Sequence, residues 1–291
     1  MSRIVPIEHR AWSGAVTSDV TATATAALES GRVLFFPYLP FIVEQAETEI
    51  FSPAILSSSK NTSFDPESGR VGGTTLEGRS RDSLRGLLAR FSDATHALVR
   101  ELLPAYAAHV QRARTSFRPA EIAGRRSSWR KDDSRLHVDA FPASPVQARR
   151  ILRVFSNVNP LGAPRTWRVG GEFSDVARRF DTALALPLPW SGALLRLLHV
   201  TKSRRTPYDA LMLQLHDLMK GDVTFQREAE QEAFEFPAGS TWMALTDQVG
   251  HAAMAGQYQL EQTYLLPVAA MQDQARSPLR VLERLKGRAL A

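Results

Sequence analysis

His137 and Asp139 are the residues of this sequence whose types and spacing best suit metal chemistry. In an extended strand, residues two apart point to the same face, so this imidazole and this carboxylate can converge on one ion. A second histidine from another strand would complete a 2-His-1-carboxylate triad, which leaves positions open on Fe(II) for a cosubstrate and O2. We expect that histidine to be His251, in TDQVGHAAMAG. These three side chains are the predicted metal ligands and catalytic residues; the competing interpretation is a surface histidine beside a solvated aspartate.

The composition limits the classes of protein that the chain can belong to. Its 291 residues suit one large domain or two small ones. The absence of cysteine excludes disulfides and zinc–thiolate sites. The N-terminus lacks the apolar core of a secretory signal, and no apolar run is long enough to span a membrane. The net charge of +6 favours a polyanionic partner such as nucleic acid, anionic lipid or a phosphorylated glycolipid.

The first 115 residues are predicted to be mainly helical. A capped helix is expected over 17–31, followed by a buried strand, RVLFFP. Residues 57–80 are polar and rich in serine and glycine, which indicates a loop or a mobile lid. A leucine stripe predicts a helix over 81–112 that is kinked or split at Pro104.

Residues 116–267 have the pattern of many short strands separated by turns, which favours a sandwich or barrel-like fold. His137 and His251 are 114 residues apart, which suits ligands on the second and seventh strands of a double-stranded β-helix. We therefore predict one domain over 1–291, mainly β with flanking helices, with a jelly-roll or cupin-like core on which the N-terminal helices pack. The strand candidates are 134–139, 150–157, 165–169, 233–236, 241–246 and 258–266, with a helical insert near 207–220.

The C-terminal part of the chain, 272–291, is predicted to contain a basic amphipathic helix. Leu279, Leu282 and Leu285 can share one face, and arginines and a lysine cover the rest. Two interpretations stay open: a helix docked on the core, or a helix that lies on an anionic membrane surface.

Several phrases of the sequence resemble one family of Fe(II)/2-oxoglutarate dioxygenases, the Kdo hydroxylases. The resemblance covers roughly residues 18–270 and is carried by RKDDSRLHVDAFP, RILRVFSNVNP, RTWRVGGEF, YDALMLQLHDLMK and FPAGSTWMALTDQVGHAAMAGQYQLEQTYLLP. It implies hydroxylation of 3-deoxy-D-manno-octulosonic acid (Kdo) at C3, to Ko, in the lipid A inner core of lipopolysaccharide. It also implies Fe(II), 2-oxoglutarate and O2 as requirements, with ascorbate as a supporting reductant. Succinate and CO2 would be the products of the cosubstrate.

The far carboxylate of 2-oxoglutarate needs a cation, for which a bidentate arginine is best. Many enzymes of the superfamily place it on the last strand, but Gln259–Gln262 contains no basic residue here. Arg153, in an apolar strand, is the first choice and Arg150 the second. Trp167 is expected to wall the cosubstrate pocket and Asn157 to donate to the cosubstrate. Core packing for the tryptophan and a turn for the asparagine are the competing interpretations.

A substrate that carries carboxylate and phosphate groups would need further cations. Arg118, Arg130 and Arg135 are the predicted substrate-binding residues, in a wider cluster that includes Arg125, Arg126, Arg204 and Arg205. Each alone is equally explained as a solvated charge. The resemblance places the enzyme in the cytoplasm, at the cytoplasmic face of the inner membrane, with Kdo-lipid A as partner and no nucleic acid. The alternatives are a dioxygenase for another anionic substrate, including nucleic acid, and a cupin-like sugar- or lipid-binding module.

Overall fold

A computed structural model describes residues 2–125 and 127–291 of the protein. Among these residues the helices, in chain order, are α1 Ser18–Glu29, α2 Gly78–Leu102, α3 Pro104–Ala107, α4 Phe173–Phe180, α5 Ser191–Leu197, α6 Pro207–Gly221, α7 Val223–Glu228 and α8 Pro278–Lys286. The strands are β1 Ile4–Pro6, β2 Val33–Phe36, β3 Thr62–Phe64, β4 Val71–Gly72, β5 Gln111–Arg118, β6 Arg150–Asn157, β7 Arg165–Gly170, β8 Gln231–Phe236, β9 Thr241–Leu245, β10 His251–Ala255 and β11 Gln259–Leu266. No helix of this described part is long and apolar enough to cross a membrane.

The strands form two sheets. The larger has eight strands in the order β1-β2-β9-β6-β11-β5-β3-β4, and the smaller has three in the order β10-β7-β8. Apart from the parallel pair β1–β2, neighbouring strands are antiparallel. The strands from the first 115 residues extend both edges of the larger sheet, so this part of the chain contributes more than helices.

Aromatic side chains join the two sheets face to face. The rings of Phe155 on β6 and Trp167 on β7 have centroids 5.0 Å apart, and those of Phe236 on β8 and Trp242 on β9 stack at 4.2 Å. These aromatic side chains are buried, so the space between the sheets is a packed core. The two facing sheets are the jelly-roll core that the sequence predicts.

The long helix α2 covers the larger sheet because its apolar stripe repeats every three or four residues. Leu87, Leu88 and Phe91 from this stripe are completely buried. The predicted break at Pro104 is confirmed, since α2 ends at Leu102 and the short α3 begins at Pro104. The prediction of helix up to residue 112 is wrong, because β5 begins at Gln111 and pairs with β11.

Two further expectations need correction. Residues 57–80 are largely the predicted loop, but they also contain a short hairpin, because β3 pairs with β4 and extends the sheet beside β5. Residues 134–139 do not form a strand, because only His137 makes a bridge there. The chain enters this segment from a turn in which the carboxylate of Asp132 accepts from the backbone and hydroxyl of Ser134, and it pairs with β10 at a single residue.

Helix α8 is docked on the protein. It begins with Ser277 as N-cap and Pro278 in the first turn, both favourable at a helix start. Leu279 and Leu282 are buried in the same core as α4 and α6. The structure therefore supports the docking interpretation of this helix, since its apolar face is already covered.

Candidate metal centre and adjoining pocket

His137, Asp139 and His251 meet at one point, each offering a ligand atom within 4.8 Å of the other two. Both histidines are buried, and their ring centroids are 4.7 Å apart. Asp139 Oδ2 lies 4.0 Å from His251 Nε2. The sequence therefore identified three side chains that the fold brings together from two distant segments.

Backbone hydrogen bonds hold these residues in register. The amide of His137 donates to the carbonyl of His251 at 3.0 Å, and the amide of His251 donates back to His137 at 2.8 Å. The amide of Asp139 donates to the carbonyl of Thr246 at 2.8 Å. The loop that carries the first two ligands is thus fixed to the chain just before β10, which carries the third.

The imidazole rings are oriented by their own neighbours. Nδ1 of His137 lies 2.7 Å from the carbonyl of Arg135, and Nδ1 of His251 lies 2.9 Å from the carbonyl of Val249. A proton on each Nδ1 satisfies these contacts and leaves each Nε2 with a free lone pair. This arrangement is common in metal sites, where the outer contact fixes the tautomer of the ligand.

The charges at the site also suit a cation. Burial, and for His137 also the proximity of His251, lowers the pKa of both imidazoles, so both are neutral at neutral pH. Burial would raise the pKa of Asp139, but the positive charge of Arg153 opposes this effect, and the pKa is lowered. Two neutral imidazoles and one carboxylate are the forms that bind metal.

The donor set fits Fe(II). Among the described residues, Asp139 Oδ2 is a buried oxygen with no hydrogen-bond partner. Leaving such an oxygen unsatisfied is costly, so it needs a cation or a donor. Two imidazoles and one carboxylate on one side are the ligands of non-haem Fe(II) oxygenases, which keep the other positions open.

A cavity of about 120 Å³ opens beside the three ligands. Trp167 forms one wall, where its ring stacks on His251 with centroids 5.2 Å apart. Phe155 and Ile122 supply apolar lining, and Arg118, Arg153 and Arg165 bring positive charge. The cavity thus combines a metal position with an anion-binding wall, as a keto acid that chelates a metal requires.

Arg165 is the cation that sequence reasoning missed. It is almost completely buried, and no carboxylate of the described residues lies within ion-pair distance of its guanidinium. Burial, together with the charge of Arg118, lowers the pKa of Arg165 to about 9, so it is still charged at neutral pH. The signal was its position two residues before Trp167 on one strand, which puts both side chains on the same face. Nε of Arg165 and Nε1 of Trp167 both lack a partner within the described part.

Arg153, the first choice from the sequence, lines the same cavity but has acidic partners. Its Nε lies 3.3 Å from Asp139 Oδ2 without hydrogen-bond geometry, and its Nη1 lies 3.0 Å from Glu261 Oε1. Arg118 also lines the cavity, and its Nε donates to Glu261 Oε2 at 2.9 Å. Glu261 on the last strand therefore holds two arginines in place from the position where many related enzymes carry a cation.

The fold does not bring four other predicted residues to this cavity. Arg150 pairs with Asp247, the amide of Asn157 donates to two backbone carbonyls, the exposed Arg130 pairs with Asp217, and Arg135 donates to the carbonyl of Lys220. Arg126, of the wider cluster, lies outside the described residues.

His216 on α6 lies close to the site, with its ring centroid 5.2 Å from that of His137. Its Nδ1 is 3.0 Å from Asp217 Oδ1, and burial lowers its pKa. The sequence predicts that it is not a ligand, and the metal-binding cluster of the described residues does not include it. Its proximity arises because α6 packs beside the loop that carries His137, a contact that sequence periodicity does not reveal.

Comparison with known proteins shows which family this chain belongs to. The sequence model for 3-deoxy-D-manno-oct-2-ulosonic acid (Kdo) hydroxylase matches residues 11–289. The chain belongs to the Kdo hydroxylase family. Crystal structures of the Kdo hydroxylase KdoO, a non-haem Fe(II) α-ketoglutarate-dependent dioxygenase, are similar to this chain at 44% identity, covering 99% of this chain and 97% of that one. The complex with α-ketoglutarate and Fe(III) gives a TM-score of 0.96, and the complex with cobalt(II) gives 0.97.

A further KdoO structure contains succinate and Fe(III), again at 44% identity and a TM-score of 0.96 over 99% of this chain and 97% of that one. Among curated proteins, no sequence matches this chain. The prediction of a Kdo hydroxylase with a jelly-roll fold is thereby confirmed, and with it that of an Fe(II)- and 2-oxoglutarate-dependent dioxygenase. The roles of the individual site residues are inferred from the geometry of this chain.

Proposed function

We propose that this Kdo hydroxylase converts Kdo to Ko by hydroxylation at C3 in the lipid A inner core, with His137, Asp139 and His251 as its metal ligands. The observation that carries the proposal is the pairing of two features in one cavity. A buried carboxylate oxygen without a donor lies between two oriented imidazoles, and a buried arginine without a carboxylate lies on the neighbouring wall. The first feature fits a metal ion and the second fits an anionic cosubstrate.

The three ligands would hold Fe(II) on one side and leave the cavity side free. When bound there with 2-oxoglutarate and O2, the ferrous ion supplies the oxidising chemistry that inserts oxygen into a C–H bond. The chain's own contribution is orientation. The Nδ1 contacts fix both imidazoles, and the backbone bond from Asp139 to Thr246 fixes the carboxylate.

Arg165 is the proposed anchor for the far carboxylate of 2-oxoglutarate. A guanidinium with no internal carboxylate partner gains most from an incoming anion, and burial strengthens the interaction. Trp167 lines the same cavity, and its indole N–H has no hydrogen-bond partner among the described residues. Arg153 stays in the proposed cosubstrate set, where its charge also offsets those of Asp139 and Glu261.

The residues that bind the anionic substrate are proposed from the positions of the predicted arginines. Arg118 reaches the cavity and is the predicted arginine best placed for the carboxylate of Kdo. Arg130 and Arg135 lie outside the cavity, so they would meet only more distant phosphate groups of the glycolipid. Because the strands of both halves share one sheet, we also propose that 1–291 act as a single domain. Work on a glycolipid would place the enzyme at the cytoplasmic surface of the inner membrane.

Mass spectrometry of Kdo-bearing lipid A after incubation with protein, Fe(II), ascorbate and 2-oxoglutarate tests the proposal. We expect a gain of one oxygen on Kdo, with succinate formed in equal amount. His137→Ala should bind little iron and lose at least about a hundredfold in turnover, since loss of even an outer contact of a metal ligand costs 10–100-fold. The exposed His109 offers a matched control, and His109→Ala should retain activity. Full turnover in His137→Ala would show that His137 is not a metal ligand. Kdo that remains unchanged after incubation with the intact protein would show that it is not the substrate.

A further inference from the structure

An exposed apolar segment, residues 186–200, stands out on the surface. Of the eleven large hydrophobic side chains exposed in residues 2–125 and 127–291, seven lie in this segment: Leu186, Leu188, Trp190, Leu194, Leu197, Leu198 and Val200. Trp190 is 61% exposed and Leu197 is 74% exposed. A concentration of exposed apolar side chains in one short segment indicates an interaction site, whereas isolated exposed leucines do not.

The charge around this segment is of one sign. No aspartate or glutamate occurs between Asp181 and Asp209. The same stretch contains Arg196, Lys202, Arg204 and Arg205, and none of these four forms an ion pair within the described part of the chain. Elsewhere many surface arginines have acidic partners, such as Arg178 with Asp175. These four cations are therefore available to an external anion.

A close contact at Gly192 joins the segment to the basic stretch that follows it. Gly192 is the buried residue of α5, and a Cβ there would collide with the carbonyl of Arg205. The helix is thus pressed against the basic stretch at one point, while Leu194 and Leu197 remain exposed. The leucines and the cations are consequently held together as one surface.

The basic stretch that follows the segment is hydrogen-bonded to the loop after Asp139. The amide of Lys202 donates to the carbonyl of Ala143 at 3.0 Å, and Arg205 Nη2 donates to the carbonyl of Pro142 at 2.6 Å. Both acceptors lie in the loop that follows Asp139. The chain then continues from Thr206 into α6, which places His216 beside His137. The segment is thereby linked along the chain, through residues 202–205 and α6, to the elements that carry His137 and Asp139.

We propose that residues 186–200 insert into the surface of an anionic lipid bilayer, with Arg196, Lys202, Arg204 and Arg205 meeting the headgroups. Exposed leucines with a tryptophan and a rim of cations are the combination that interfacial membrane segments use. A symmetric contact with a second copy is disfavoured, because it would bring these like charges together. The inference rests on the proposed function in one respect: a substrate embedded in a lipid bilayer explains why the enzyme would bind a membrane.

Co-sedimentation with vesicles of phosphatidylcholine, with and without phosphatidylglycerol and free of any Kdo-lipid, tests the contact without reference to catalysis. We expect binding to the anionic vesicles, weakened by salt, and an affinity at least about tenfold lower in Trp190→Ser/Leu197→Ser/Leu198→Ser. Reversal of charge in Arg196→Glu/Arg204→Glu should remove the preference for anionic vesicles.

A matched control changes apolar side chains that are as exposed but lie elsewhere. Ile42→Ser/Leu161→Ser/Val223→Ser should bind vesicles as the parent protein does. Equal binding by the two triple variants would overturn the proposal, as would absence of binding to anionic vesicles. Sedimentation equilibrium would assign the surface to a second copy instead if the parent protein and the control variant were dimers and the Trp190 triple variant were a monomer.

Activity assays distinguish a failure of this proposal from a failure of the proposed function. The Trp190 triple variant should keep the iron content and the slow 2-oxoglutarate decarboxylation of the parent without substrate, and lose hydroxylation of vesicle-embedded Kdo-lipid A. If vesicle binding follows the expected pattern while Kdo gains no oxygen from the parent protein, the substrate assignment fails and the membrane surface stands. If Kdo is hydroxylated equally by both proteins in vesicles, the membrane surface fails and the reaction stands.

Discussion

Arg165 donates a hydrogen bond from Nη1 to the carbonyl of Gly256 at 2.6 Å. This bond ties the buried guanidinium of β7 to the turn between β10 and β11. Gly256 has a φ of +102°, and a Cβ there would come within 2.7 Å of the carbonyl of Pro164 and 3.0 Å of Arg165 Cα. The arginine is thus positioned by a turn that only glycine accommodates without strain.

Replacing Arg165 should separate cosubstrate binding from stability. In Arg165→Met the KM for 2-oxoglutarate should rise by about 10–100-fold, since a hydrogen bond to a charged group is worth about 1.5–3 kcal/mol. The Tm of the metal-free protein should change little, because removal of a buried charge without a carboxylate partner among the described residues offsets loss of the bond to Gly256. Steady-state kinetics and thermal unfolding measure the two effects. Arg130→Met, outside the cavity, is the control, and an unchanged KM in Arg165→Met would show that the anchor is another residue.

Gly256→Ala should affect the same step indirectly. The added methyl group must push the turn or Arg165 aside, so the KM for 2-oxoglutarate should rise while iron content stays the same. Gly162→Ala provides a comparison, because this glycine also has positive φ but nothing lies near its Cβ position. Equal kinetic effects in both variants would mean that backbone strain, rather than displacement of Arg165, is responsible.

Arg150 should matter for stability. Its Nε donates to Asp247 Oδ2 at 2.6 Å and its Nη2 donates to Gln248 Oε1 at 2.7 Å, all in the core. Arg150→Met leaves Asp247 buried without its cation and should lower the free energy of unfolding by about 3–5 kcal/mol. Denaturation by urea measures the loss. Adding Asp247→Asn should restore part of it, and a double variant as unstable as the single one would argue against the ion pair as the cause.

Asp133 should give the protein part of its resistance to acid. Burial would raise the pKa of this carboxyl, but the charges of Arg118 and Lys60 prevail and lower it to about 2. A pKa lower in the folded than in the unfolded state, where it is about 3.9, stabilises the fold above that value. This contribution, about 2–3 kcal/mol, is lost as the pH falls from about 4 through 2.

Asp133→Asn should accordingly be less stable than the parent protein at pH 6, and the difference should shrink as the pH approaches 3. Urea unfolding at a series of pH values measures it. Asp175→Asn serves as a control, because the partners of Asp175 are exposed and such pairs contribute little. A difference that is constant with pH would show that the loss comes from packing rather than from the charge.

The sequence predicts the jelly-roll core well because β6, β9 and β11 are short, buried runs bounded by turn residues, and because β7 alternates between buried and partly buried positions. It fails at 134–139, since one pair of backbone bonds between His137 and His251 is a tertiary contact that no local pattern records. It also misses α4 and α5, which belong to the insert between β7 and β8.

The metal ligands were predictable because their chemistry fixes residue types at a recognisable spacing. The arginine proposed to anchor the cosubstrate was harder to identify, because Arg150, Arg153 and Arg165 all lie in strands among apolar residues and look alike in sequence. Their roles depend on which carboxylates approach them in space. Asp247 pairs with Arg150, and Glu261 pairs with Arg153. Only the folded chain reveals that Arg165 has no carboxylate partner among the described residues.

The mutual backbone bonds of His137 and His251 mean that the ligand geometry is built from peptide groups of the fold itself. We therefore expect the chain to fold without iron, in contrast to small domains that fold around their metal. A cell short of iron would accumulate this protein in a folded, inactive form. We expect such a reserve to hydroxylate Kdo as soon as ferrous ion returns, with no new synthesis of the enzyme.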